Sequence, residues 1–116
     1  MMRPKESLAA FKAAFGGIAY TFKTQRHMRF HLYTVLVVIL LGIFVNLGLR
    51  EMLVLLFTIS LVVVAEMFNS AIEATVDRIG LERHVLAGLA KDIGSAAVLM
   101  SFILLAAVWL LVLLGR

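Results

Sequence analysis

Residues 52–77 read MLVLLFTISLVVVAEMFNSAIEATVD, and how this stretch is taken decides the fold. Residues 52–65 are apolar apart from Thr58 and Ser60, too short a run for a hydrocarbon core that needs about 20 residues. A spanning helix must continue through Glu66, Asn69 and Glu73 toward Asp77, which brings carboxylates into the membrane zone. Such groups are costly, about 2.5–3.5 kcal/mol for an aspartate or basic residue at the helix centre, and normally face the bundle interior. Glu66, Asn69, Ser70, Glu73 and Asp77 fall at offsets 0, 3, 4, 7 and 11, the spacing that stacks side chains along one helix stripe. The axial distance from Glu66 to Asp77 is about 16 Å at the helical rise.

Two further runs can span. Residues 32–49 are apolar except for Tyr33, Thr34 and Asn46, and end in the turn chemistry of Asn46, Leu47 and Gly48. Residues 93–114 carry Trp109 near their far end, where an indole suits the interface. A short polar loop, 77–92, separates this run from the second span. Before the first span, Leu8, Phe11, Phe15, Ile18 and Phe22 recur at three- and four-residue steps, with Lys5, Lys12 and Lys23 off the stripe. That is an amphipathic helix suited to the membrane surface, entered through Pro4 and Ser7. The expectation is one all-α membrane domain over residues 1–116. It has an N-terminal surface helix near 5–28 and three transmembrane helices near 31–49, 52–77 and 92–114.

Composition agrees. Of 116 residues, 63% are hydrophobic and 16% charged, with mean hydropathy +1.05. A water-soluble domain of this size leaves too much surface exposed to accommodate so apolar a chain. The absence of cysteine excludes a disulfide scaffold, thiolate metal sites and cysteine nucleophiles. The net charge of +4 fits topology and anionic headgroups, and nucleic acid is not expected as a partner. The first long apolar run starts only at Leu32 with no small-residue cleavage site after it, which reads against a cleavable signal peptide. Arg3, Lys5, Lys12, Lys23, Arg26 and Arg29 precede the first span, and Arg78, Arg83 and Lys91 sit between the second and third. The positive-inside rule then places the N-terminus and the second loop in the cytoplasm.

The polar residues gather on that side. Lys91 and carboxylates together are the parts that hold a polyphosphate, with oxygen ligands favouring magnesium over zinc. Glu66, deepest on the stripe, is placed to accept a proton from a lipid hydroxyl. A proton or cation path through a small transporter fits the same spacing; such transporters usually have four spans and no Lys-Asp pair in a loop. The small residues Ser70, Ala71, Gly94, Ser95, Ala96 and Ala97 read first as close helix packing. His84 reads as a loop residue or a nucleotide contact, and His27 and His31 as part of a basic interfacial girdle. Gly16 and Gly17 belong to no P-loop or kinase glycine loop.

EMFNSAIEATVDRIG at 66–80, followed by AKDIGSAAV at 90–98, resembles the signature of the prokaryotic diacylglycerol kinase family, which includes undecaprenol kinases. The resemblance covers essentially the whole chain. It implies a homotrimer in the bacterial plasma (inner) membrane, with sites shared between protomers, that transfers the ATP γ-phosphate to a lipid hydroxyl with Mg2+. By the same resemblance Glu66 is the catalytic base, Asn69 orders the site, Glu73 binds the metal and Asp77 is the acid of the nucleotide site. Lys91 contacts phosphate with Asp92 as its support, and Glu82 and His84 lie near adenine and ribose. Gly17 and Gly88 match glycines near the nucleotide, and Ser95 a serine near the lipid. One departure stands in QRHMRFH at 25–31. Gln25 replaces the glutamate that commonly shares the metal with Glu73, keeping an amide oxygen but losing a charge, which lowers the expected metal affinity. The Arg29 and His31 pattern is closer to the undecaprenol kinase branch, and Phe15, where the other branch often carries tryptophan, agrees. A non-catalytic homologue remains an alternative because of Gln25.

Overall fold

The computed structural model describes residues 3–115, which form four helices: α1 (Pro4–Thr24), α2 (Arg26–Phe44), α3 (Leu49–Ile79) and α4 (Val85–Leu114). The last three are long and apolar enough to cross a membrane. α1 begins with Pro4, whose fixed φ suits the first helical position, and Glu6 accepts the Arg3 backbone N–H at 2.9 Å. It ends at Gln25, an extended residue (φ −114°, ψ 112°) that closes α1 and opens α2. Neither glycine nor proline makes this corner. The Gln25 N–H still bonds Thr21 O at 2.9 Å, while its own carbonyl already receives Met28 N–H at 3.2 Å.

The α2–α3 connection uses the expected turn residues. Asn46 sits at φ 57°, a left-handed conformation that asparagine tolerates better than most side chains. Leu47 N–H bonds Gly42 O at 3.0 Å and Asn46 N–H bonds Ile43 O at 3.1 Å, the paired bonds of a Schellman ending.

α3 and α4 form an antiparallel hairpin that makes most of the tertiary contact, with α2 laid along α3 and α1 touching α2 near the corner. Gly94 allows the close approach: a Cβ there would run into the Asn69 side-chain oxygen. The buried stripe of α2 comprises Met28, His31 and Gly42, with Val35 and Val38 half-buried between them. It packs toward Leu55, Ile59 and Val62 of α3, which with Met28 are the buried apolar side chains among the described residues. So few buried apolar groups cannot sustain a globule in water. The long exposed rows, such as Leu36, Leu40, Phe57, Ile103 and Leu110, fit a lipid environment, in which helices satisfy their own backbone bonds.

At 31 residues, α3 is about 46 Å long, against roughly 30 Å of hydrocarbon. It therefore passes through the apolar layer and extends beyond it. The polar end, with its loop at 80–84, is where the singled-out residues collect.

Candidate functional site

α3 supplies the spine of the site. Because Glu66, Asn69, Ser70 and Glu73 share a stripe, all four line one cleft of about 310 Å³, joined by Gln25 and His27 from the α1–α2 corner and Ser95 and Val98 from α4. Asp77, one turn beyond Glu73, lines a second and more open cleft of about 510 Å³ with Glu82, Arg83, His84, Gly88 and Lys91. Most of the sequence-derived residues therefore fall into two neighbouring clefts strung along one helix.

Inside the first cleft, Ser70 is buried, and its single hydroxyl proton is shared between Gln25 Oε1 at 2.6 Å and Glu66 O at 3.0 Å. This serine, read from sequence as packing, ties the helix corner to α3. Asn69 Nδ2 donates to Glu73 Oε1 at 3.4 Å, while Asn69 Oδ1 is buried against Gly94 without a partner. Buried polar atoms usually have partners, and this orphan lies on the wall between the cleft and an apolar groove of α3 and α4.

Glu66 has a partner that the sequence reading did not assign. His31 Nε2 lies 2.7 Å from Glu66 Oε1, with both side chains about nine-tenths buried. The basic neighbours Arg26 and Arg29 draw His31 into a surface girdle when the sequence is read alone. The signal that finds it is the 3–4–3–4 spacing of Met28, His31, Val35, Val38 and Gly42, which puts the imidazole on the inward stripe of α2.

In the second cleft Lys91 Nζ donates to Asp77 Oδ1 at 2.7 Å. His84 Nδ1 accepts the Leu86 N–H at 3.1 Å and caps α4, so its ring is held at the cleft rim by a helix terminus. Two predicted positions join neither cleft. Asp92 is exposed on α4, and the exposed Gly17 on α1 has open space where a side chain would be.

For a divalent cation the donor set is sparse. Among the described residues no group of three or more His, Asp or Glu could hold a metal by itself. Glu73 and Gln25 do line one cleft, and the Gln25 amide oxygen, which already accepts Ser70, keeps a second lone pair. One carboxylate and one neutral oxygen suit Mg2+, which usually takes one or two protein ligands and draws the rest from phosphate and water.

Comparison with known proteins places relatives beside the chain. The family model described as Prokaryotic diacylglycerol kinase matches residues 12–113. The chain is 41% identical over 109 residues to the diacylglycerol kinase of Pseudomonas aeruginosa, covering 94% of this chain and 83% of that one. It is 36% identical over 98 residues to that of Haemophilus influenzae, covering 84% and 83%. It is also 33% identical over 107 residues to the undecaprenol kinase of Bacillus subtilis, covering 92% and 87%. Of the Synechocystis diacylglycerol kinase, 38% identical over 97 residues, the match spans 55% of the length.

Proposed function

The chain belongs to the prokaryotic diacylglycerol kinase family and is a membrane lipid kinase; from that premise we propose that it transfers the ATP γ-phosphate to the hydroxyl of diacylglycerol or undecaprenol at the cytoplasmic face of a bacterial plasma membrane. The observation that carries the reading is the shared α3 stripe. It sets a buried carboxylate, Glu66, in one cleft and Asp77 beside Lys91 in the next. Acceptor and donor chemistry thereby sit on one rigid element, as positioned phosphoryl transfer requires.

In this mechanism the nucleotide occupies the loop cleft, whose volume of about 510 Å³ lies within the usual range for ligand pockets. Glu82, His84 and Gly88 face its base and ribose. Lys91, held by Asp77, places an ammonium against the phosphate charge that develops during transfer. Glu66 takes the proton of the lipid hydroxyl as the hydroxyl oxygen bonds the γ-phosphorus and the bond to the ADP oxygen breaks. Asn69 and Ser95 order the acceptor end. Mg2+ held by Glu73 with Gln25 would offset the charge of the phosphate oxygens. A homotrimer with composite sites gives Asp92 and Gly17, which lie outside both clefts of a single chain, a neighbouring copy to face.

The test is transfer of labelled γ-phosphate from Mg-ATP to each lipid, supplied separately to purified protein in mixed micelles. Label in one lipid, lost in Glu73→Ala with the oligomer retained, is the expected result. No label in either lipid, from folded protein, counts against the reading.

A further inference from the structure

A carboxylate at membrane depth is unfavourable unless it is paired, and the group that meets Glu66 is His31. The imidazole has little freedom. Its ring lies edge-on to Phe30, with centroids 5.9 Å apart and planes at 72°, and tilted against Phe102 of α4 at 5.2 Å. On the far side from the polar cleft, His31, Val35, Val38, Ile59, Val62, Phe102 and their neighbours close around a space of only about 10 Å³. That is at or below the volume one water needs, with few polar partners for it. Glu66 thus stands between a packed apolar seam and an open polar cleft, with one oxygen fixed from the seam side.

We propose that His31 is a positioning residue for phosphoryl transfer. Its Nε2–H donates to Glu66 Oε1 and fixes the carboxylate rotamer, leaving Oε2 for the cleft that Glu66 lines. As the lipid oxygen bonds the γ-phosphorus and the bond to the ADP oxygen breaks, the hydroxyl proton passes to Oε2 and stays on Glu66. His31 keeps its own proton and never touches substrate. The inference rests on the reading of Glu66 as the base. It concerns the chemical step alone, since His31 lines neither the loop cleft nor the α1 surface.

The experiment measures kcat and the KM for ATP in the full chain in mixed micelles. The variants are His31→Phe, His31→Gln, Glu66→Gln and the double variant His31→Phe/Glu66→Gln. Phenylalanine keeps the ring packing and deletes both nitrogens; glutamine restores an N–H donor. The expected result is a kcat about 10–100-fold lower in His31→Phe, as for outer partners of site ligands, with KM for ATP within about twofold. His31→Gln should recover most of that loss, and the double variant should be no slower than Glu66→Gln alone, as for residues acting as one unit.

A native kcat in His31→Phe, a loss that His31→Gln does not repair, or losses that multiply in the double variant would each overturn the proposal while leaving Glu66 as base. A native kcat in Glu66→Gln would overturn the base assignment and this proposal with it. Should His31→Phe fail to fold, the His31 imidazole nitrogen resonances carry the test. They shift between the native protein and Glu66→Gln if the bond exists, and unchanged resonances reject it.

Discussion

Lys91 Nζ on α4 lies 2.7 Å from Asp77 Oδ1 on α3, fourteen residues earlier in the chain, and both residues line the loop cleft. Both side chains are close to half exposed, and exposed ion pairs add little to stability. In the proposed mechanism the pair's part is to aim an ammonium at the nucleotide phosphates. Lys91→Met should lower kcat by about 10²–10³-fold, the range for removing one transition-state donor, with helix content and thermal unfolding close to native. Asp77→Asn, which keeps an acceptor oxygen but loses the charge, should fall between Lys91→Met and the native protein. Steady-state kinetics alongside circular dichroism in the same micelles separates aim from fold.

Gly94 and Gly88 lie on the same helix and should answer differently to alanine. A Cβ at Gly94 meets the Asn69 oxygen, whereas one at Gly88 meets nothing within 4 Å. Gly94→Ala should destabilise by about 1–3 kcal/mol, the cost of overpacking a close contact. Gly88→Ala should stabilise by roughly 0.5–1 kcal/mol through helix propensity. Equilibrium unfolding in mixed micelles reads both, and a Gly94→Ala protein as stable as native would show that α3 and α4 can part freely.

Gln25→Glu adds a charge where the chain has a neutral oxygen, and a glutamate can still accept the Ser70 hydroxyl now bonded at 2.6 Å. The Mg2+ concentration for half-maximal activity should fall by about tenfold, as added ligand charge raises affinity for a hard cation. Gln25→Ala, which removes the acceptor, should raise it. A magnesium titration at saturating ATP decides; identical midpoints for all three proteins would remove Gln25 from the metal site.

His84 combines a cap and a rim position, and two substitutions separate them. Asparagine is a strong N-cap and alanine is not. His84→Asn should retain thermal stability yet raise the KM for ATP several-fold, while His84→Ala should lose both. An unchanged KM in both variants would leave His84 as a cap alone.

The carboxylate stripe was legible because helical spacing is a property of the sequence itself: once residues 52–65 proved too short to span, Glu66 to Asp77 had to be helix. The Asn46 turn was legible for a similar reason, since its conformation is local. The corner at Gln25 was not, because neither residue type nor cap marks it; only packing against Ser70 distinguishes that glutamine from its neighbours. His31 was hidden by composition. Arginines at 26 and 29 pull the eye toward the surface, although the imidazole sits on a row of inward residues that a period count would have exposed. The loop cleft depends on the chain returning at 80–84 to bring Lys91 against Asp77, a pairing that neither residue announces by itself.

Because α3 runs unbroken from Leu49 to Ile79, it works as a ruler. Glu66, the proposed base, and the acid beside Lys91 are held about 16 Å apart along its axis by the rise of the helix. An acceptor is then screened by altitude before it is screened by shape. A hydroxyl has to float at the height of Glu66, whatever hydrocarbon hangs beneath it. On the proposed reading, a glyceride and a polyprenol can each meet that condition, unlike as the two alcohols are.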